Sequence, residues 1–172
     1  MAPPDRTAIT ALVDGLHFPA PRSDAVAEIR ARAAQHRLRG PANLRVEVAD
    51  AVGARSSAGE VASAFVRHLG LTPLDDDDWQ PIPRDWAEQV LVRLLSRDLA
   101  YRSPLLEPEV AAQLARRFLG LFGPGAVLLS NGDGLTSETD AALGGIGEAT
   151  FEKGVIAVDG ERVGLMWVFD ED

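Results

Sequence analysis

The chain has no cysteine, which excludes a disulfide framework, a thiolate zinc site and a cysteine nucleophile. Lysine is nearly missing too: Lys153 is the only one, and arginine carries the rest of the positive charge. Together with abundant alanine, that usage accompanies GC-rich bacterial genomes. No apolar run approaches the roughly 20 residues that span a bilayer. The first residues, Met-Ala-Pro-Pro-Asp-Arg-Thr, lack a charged segment followed by an apolar one. The expectation is a soluble, cytoplasmic chain with no membrane contact.

Signatures of catalysis are also missing. His17, His36 and His68 are far apart and form no metal-binding pair on one helix face. The serine-hydrolase elbow, the phosphate-binding P-loop and the dinucleotide fingerprint are absent. Gly144, Gly145 and Gly147 do not follow a strand and open a long helix, so they make a poor phosphate cradle. Asn131 to Asp140 has the start of a calcium loop but places Leu135, Thr136 and Ala142 where that loop needs an oxygen ligand, a glycine and a glutamate. Turn formation by Asn131-Gly132 and Asp133-Gly134 accounts for the same residues. Asp75 to Asp78 are consecutive and cannot all face one ion without a sharp fold. No catalytic residue, metal ligand or cofactor is assigned.

What is present is a chain of 172 residues, 46% hydrophobic and 25% charged, with 17 basic and 26 acidic side chains and a net charge of −9. That length suits one domain over residues 1–172. Apolar periodicity predicts helices over 6–15, from Ser23 or Asp24 to about Arg37, from a capping box at Ser57 and Glu60 to Leu69, over about 85–99, and over about 107–122. A half-buried strand is expected from Asn43 to Val48, and residues 71–83, with three prolines and four aspartates, read as a long surface loop. After Gly123-Pro124-Gly125 the pattern turns to strand over 126–130. Residues 135–148 read as a polar loop, and 155–158 and 162–169 form a hairpin around Asp159-Gly160. The expected fold is α+β: a helix-rich N-terminal two thirds packed on a small, mostly antiparallel C-terminal sheet that ends in a β-hairpin.

Charge is unevenly distributed. Residues 1–70 hold 9 arginines against 7 acids, a balance of +2, whereas residues 71–172 hold 8 basic groups against 19 acids, a balance of −11. Two blocks stand out, Asp75-Asp76-Asp77-Asp78 and Asp170-Glu171-Asp172. Such a surface repels nucleic acid and attracts basic partners. Arg30, Arg32, Arg37, Arg39 and Arg45 are the arginines a nucleic-acid site would need. Arg30 and Arg32 lie about 200° apart on a helix, so they straddle it and form no stripe; no nucleic-acid partner is expected.

Two tryptophans accompany the acidic blocks. Trp79 follows the first and either packs the loop on the domain or supplies apolar contact to a partner. Trp167 lies in a strand, Arg162 to Phe169, that is apolar on both faces and is therefore either central in the sheet or shared with a partner, with central burial preferred. The reading adopted is a small acidic protein-binding module of immunity or antitoxin type. It would neutralise a basic toxin or enzyme through Asp75, Asp76, Asp77, Asp78, Trp79, Trp167, Asp170, Glu171 and Asp172. The alternatives are a carboxylate enzyme, with or without a divalent metal, built on pairs among Glu148, Glu152, Asp159 and Glu161, and an assembly subunit that uses the apolar strand for homomeric contact.

Overall fold

A computed structural model describes residue 16 and residues 18–21, 24–35, 40–51, 57–132 and 144–171. The helix expected over 6–15 and the calcium-like stretch beyond Gly132 lie outside the described residues. The elements in chain order are α1 (Ala25–Gln35), β1 (Leu44–Asp50), α2 (Ala58–His68), a 3-10 turn (Asp76–Asp78), β2 (Trp79–Pro81), α3 (Arg84–Ser96), α4 (Pro108–Leu119), β3 (Val127–Asn131), β4 (Phe151–Val158) and β5 (Arg162–Asp170). The fold is α+β, with helices mostly in the N-terminal part and strands mostly in the C-terminal part. No helix among the described residues is long and apolar enough to cross a membrane.

The five strands form one antiparallel sheet in the order β1-β5-β4-β3-β2. Strand periodicity sends alternate side chains to opposite faces, and helices cover both. On one face α1, α3 and α4 bury Ile29, Leu91, Leu95, Leu114 and Phe118 against Val46, Val155, Ala157, Met166 and Val168. On the other, α2 buries Phe65 and Val66 with Trp79, Ile146, Ile156, Leu165 and Trp167. β5 lies between β1 and β4 and is covered on both sides, which accounts for its apolar character on both faces. Two glycines in the central strands make room for aromatic rings. A Cβ on Gly154 would lie 2.5 Å from Trp167 Cε3, and one on Gly164 would collide with the Phe122 ring.

The helix starts follow their local chemistry. At α2 the Ser57 Oγ accepts from the Glu60 amide at 3.2 Å and the Glu60 carboxylate accepts from the Ser57 amide at 2.9 Å, a complete capping box. Pro108 occupies the first turn of α4, where its missing N–H is harmless. Helix α3 starts at Arg84, with Pro83 at the cap position, and Trp86 in its first turn is 37% exposed. Arg84 ties α3 to the end of α4, donating to the carbonyls of Leu119 at 2.9 Å and Gly123 at 2.7 Å.

Two expectations about strands are corrected. The stretch 71–83 is not all loop: Trp79 to Pro81 pair with Asn131 to Leu129. This strand is only three residues long and lies at the sheet edge, where a proline costs no internal ladder bond, so no alternating pattern announces it. β4 begins at Phe151, four residues before the hairpin strand expected from Val155. Glu152 and Lys153 look like loop residues, yet both are buried, at 2% and 8% exposure.

Candidate functional site

The Glu152 carboxylate is the pivot of the region that carries the acidic blocks. Its side chain lies inside the loop Gly144–Thr150, where Oε2 accepts from the amides of Ile146 at 2.8 Å and Gly147 at 2.9 Å, and Oε1 accepts from Ala149 at 3.0 Å. A buried carboxylate that receives several backbone N–H groups is held by charge-assisted hydrogen bonds, the strongest kind available to a loop. The glycines make this approach possible. A Cβ on Gly145 would lie 2.6 Å from Glu152 Cδ, and one on Gly147 would lie 2.8 Å from the Phe169 ring. The Gly144, Gly145 and Gly147 cluster therefore wraps a carboxylate that belongs to the chain itself.

Asn131 closes the loop from the other side. Its Nδ2 donates to the Gly144 carbonyl at 3.1 Å and the Glu152 carbonyl at 2.9 Å, and its backbone pairs with Trp79 across β2 and β3. The segment 71–79 packs along the same loop: the Thr72 amide donates to the Ile146 carbonyl at 2.9 Å, and Leu74 is buried beside Gly144. Trp79 anchors the far end of that segment. It is 4% exposed, its Nε1 donates to Ser63 Oγ on α2 at 3.0 Å, and its ring meets Trp167 edge-on at 6.3 Å between centroids.

Between Leu74 and Trp79 the four aspartates are exposed on one 3-10 turn, closed by the Asp78 amide donating to the Asp75 carbonyl at 2.9 Å. At the C-terminal end of the loop, Thr150 Oγ1 donates to Glu171 at 3.1 Å, and Glu171 is exposed. Asp75 to Asp78 and Glu171 thus belong to segments that are both hydrogen-bonded to one loop. Segments 71–81 and 144–151 contain Asp75 to Asp78 and Glu148 and no basic residue.

The residues singled out from the sequence have different fates. Asp75, Asp76, Asp77, Asp78 and Glu171 are on the surface, and Asp172 lies outside the described residues. Asp170 is half-buried and turned inward, its Oδ2 accepting from the Leu99 amide at 2.9 Å. Trp79 and Trp167 are core residues, with Trp167 at 0% exposure, because each packs on the other and on α2 in the middle of one sheet face. In this arrangement they support the acidic surface from below and do not form part of it.

The carboxylates weighed for acid–base chemistry lie at the two ends of β4, Glu148 and Glu152 at one and Asp159 and Glu161 at the other. Both Glu152 oxygens are occupied by amides. Asp159 lies beyond the other end of β4, about 20 Å away by strand rise, where Oδ1 accepts from the Glu161 and Arg162 amides at 3.0 and 2.8 Å and shapes the hairpin turn. Among the described residues no group of three or more His, Cys, Asp or Glu side chains is arranged to hold a metal ion. Of the five arginines a nucleic-acid site would need, the three among the described residues are engaged within the chain: Arg30 with Val46 and Glu47, Arg32 with Gln113, and Arg45 with Glu47 and Leu69.

Sequence reasoning missed the roles of Glu152 and Asn131. The available signal was the pairing of a glycine-rich loop with a carboxylate a few residues later, at the start of an apolar strand. Comparison with family models, curated proteins and solved structures returns no match to the chain.

Proposed function

We propose that the chain is a protein-binding module that docks a basic partner through the acidic surface around the Glu152-held loop. An immunity or antitoxin protein that covers a basic toxin or enzyme is the setting in which such a surface has a use. The observation that carries this reading is the loop Gly144–Thr150 itself. It is fixed by Glu152, hydrogen-bonded to the segment that bears Asp75 to Asp78, and hydrogen-bonded through Thr150 to Glu171.

Physical reasons favour a docking role. Exposed carboxylates on a short turn anchored by a buried ring lose little conformational freedom on binding, and a concentration of one sign of charge accelerates encounter with the opposite sign. The buried tryptophans leave partner contact to the charges and to the backbone rim of the loop, so the complex depends strongly on salt. The carboxylate-enzyme reading loses support, since both Glu152 oxygens accept backbone amides and Asp159 Oδ1 shapes the hairpin turn.

The test is capture of partners from the native host by the full chain, compared with the Asp75→Asn, Asp76→Asn, Asp77→Asn, Asp78→Asn variant and with Glu171→Gln. The expected result is a retained protein of basic isoelectric point, released by the aspartate variant and by moderate salt. Retention of the same partner by the variant at wild-type level contradicts the proposal.

A further inference from the structure

Among the described residues, two buried side-chain polar atoms have no hydrogen-bond partner: Trp167 Nε1, a donor, and Asn131 Oδ1, an acceptor. Their residues are 0% and 1% exposed. Such groups are rare in folded chains, because each gives up its bonds to water and receives none in exchange.

Strand register brings the two together. Trp167 pairs with Gly154 across β5 and β4, and Asn131 pairs with Trp79 across β3 and β2. The β3–β4 register, in which Leu129 faces Ile156, carries on to set Asn131 opposite Gly154. Trp167, Gly154, Asn131 and Trp79 therefore form one row across four strands, and directly opposed residues send their side chains to the same face. That face is the one covered by α2. The two tryptophans start three strand spacings apart, about 14 Å, yet their ring centroids are 6.3 Å apart. Both rings thus lean inward over Gly154 and Asn131. Gly154 permits this for Trp167, whose ring occupies the place a Cβ would take.

Reversing the Asn131 amide does not relieve the mismatch. Its Nδ2 donates to the carbonyls of Gly144 and Glu152, which can only accept, so exchanging nitrogen and oxygen would set Oδ1 against two oxygens. Trp79 Nε1 is no spare donor, being bonded to Ser63. A donor and an acceptor in one row beneath two indoles define a site for a molecule that accepts one hydrogen bond and donates another. We propose that this site takes a single internal water, which accepts from Trp167 Nε1 and donates to Asn131 Oδ1. Buried waters serve this purpose in folded chains, bonding polar groups that the protein leaves unpaired. Because Asn131 also closes the loop Gly144–Thr150, the water is part of what positions that loop. The site lies in the sheet interior and is independent of any partner the loop meets.

The test is a high-resolution crystal structure of the full chain together with hydrogen exchange in solution. One ordered water is expected within hydrogen-bonding distance of both Trp167 Nε1 and Asn131 Oδ1. A direct bond between the two groups, a different protein partner for either, or no water between them overturns the proposal. In solution, Trp167→Phe removes the donor and keeps an aromatic ring over Gly154. Exchange at the Ile146 and Gly147 amides should then accelerate at least about tenfold. Ser63→Ala breaks a buried indole hydrogen bond of the same kind outside the site and leaves those amides at the wild-type rate. Unchanged exchange in Trp167→Phe, or equal acceleration in Ser63→Ala, overturns the role of the water in positioning the loop.

Discussion

Glu152 shows how one residue organises a surface it does not join. With three backbone amides on its two oxygens, it replaces the hydrogen bonds that the irregular loop 144–150 cannot form with a neighbouring strand. Glu152→Gln removes the charge and turns one acceptor into a donor facing an N–H group. The expected cost is about 3 kcal/mol, read from the urea midpoint; an unchanged midpoint would mean that the loop holds itself. Gly154 makes a similar point through shape. Gly154→Ala drives a methyl into the Met166 carbonyl oxygen and the Trp167 ring at an expected cost of about 2 kcal/mol or more, read from the urea midpoint. A Trp167→Ala background relieves only the ring contact, so part of the cost should remain there; full recovery would show that the Met166 carbonyl makes no clash. At this scale the sequence was least legible. A glutamate beside a lysine reads as solvent-exposed, and only the glycine-rich stretch before it hints that amides arrive from three to six residues earlier.

Helices were the most legible elements, because a period of 3.6 and a cap are local properties. The Ser57 and Glu60 pair was readable from spacing alone, and both of its hydrogen bonds are present. Ser57→Ala is expected to cost about 1 kcal/mol in thermal or chemical unfolding, with recovery in Ser57→Asp; no loss on alanine substitution would show that packing alone holds the start of α2. Arg84 acts between elements, donating to the Leu119 and Gly123 carbonyls at the end of α4, each of which also accepts from a backbone amide. Its substitution by alanine removes these charge-assisted bonds and is expected to cost about 2 kcal/mol. Hydrogen exchange at residues 119–126 should accelerate, and unchanged protection there would contradict the coupling of α3 to α4. β2 escaped sequence reading because three residues ending in proline carry no alternation, and its pairing with β3 is long-range.

For the whole molecule, the average of −9 conceals an uneven distribution. The acidic half was visible by splitting the chain, but the folding of Leu71–Trp79 onto the loop that contacts Glu171 was not, since it depends on contacts across some seventy residues. Trp79 was read as contact or core with the choice open, and Trp167 with central burial preferred; the tertiary structure buries both.

The docking claim rests on electrostatics, and its most direct test is the rate of association with the captured basic partner as ionic strength is varied. For the wild-type chain the rate should fall steeply with added salt. In the variant with Asp75 to Asp78 changed to asparagine, the low-salt rate should drop at least about tenfold and the salt dependence flatten, with dissociation changed less. A variant that associates at the wild-type rate, with the same salt dependence, would show that the partner does not approach through this surface.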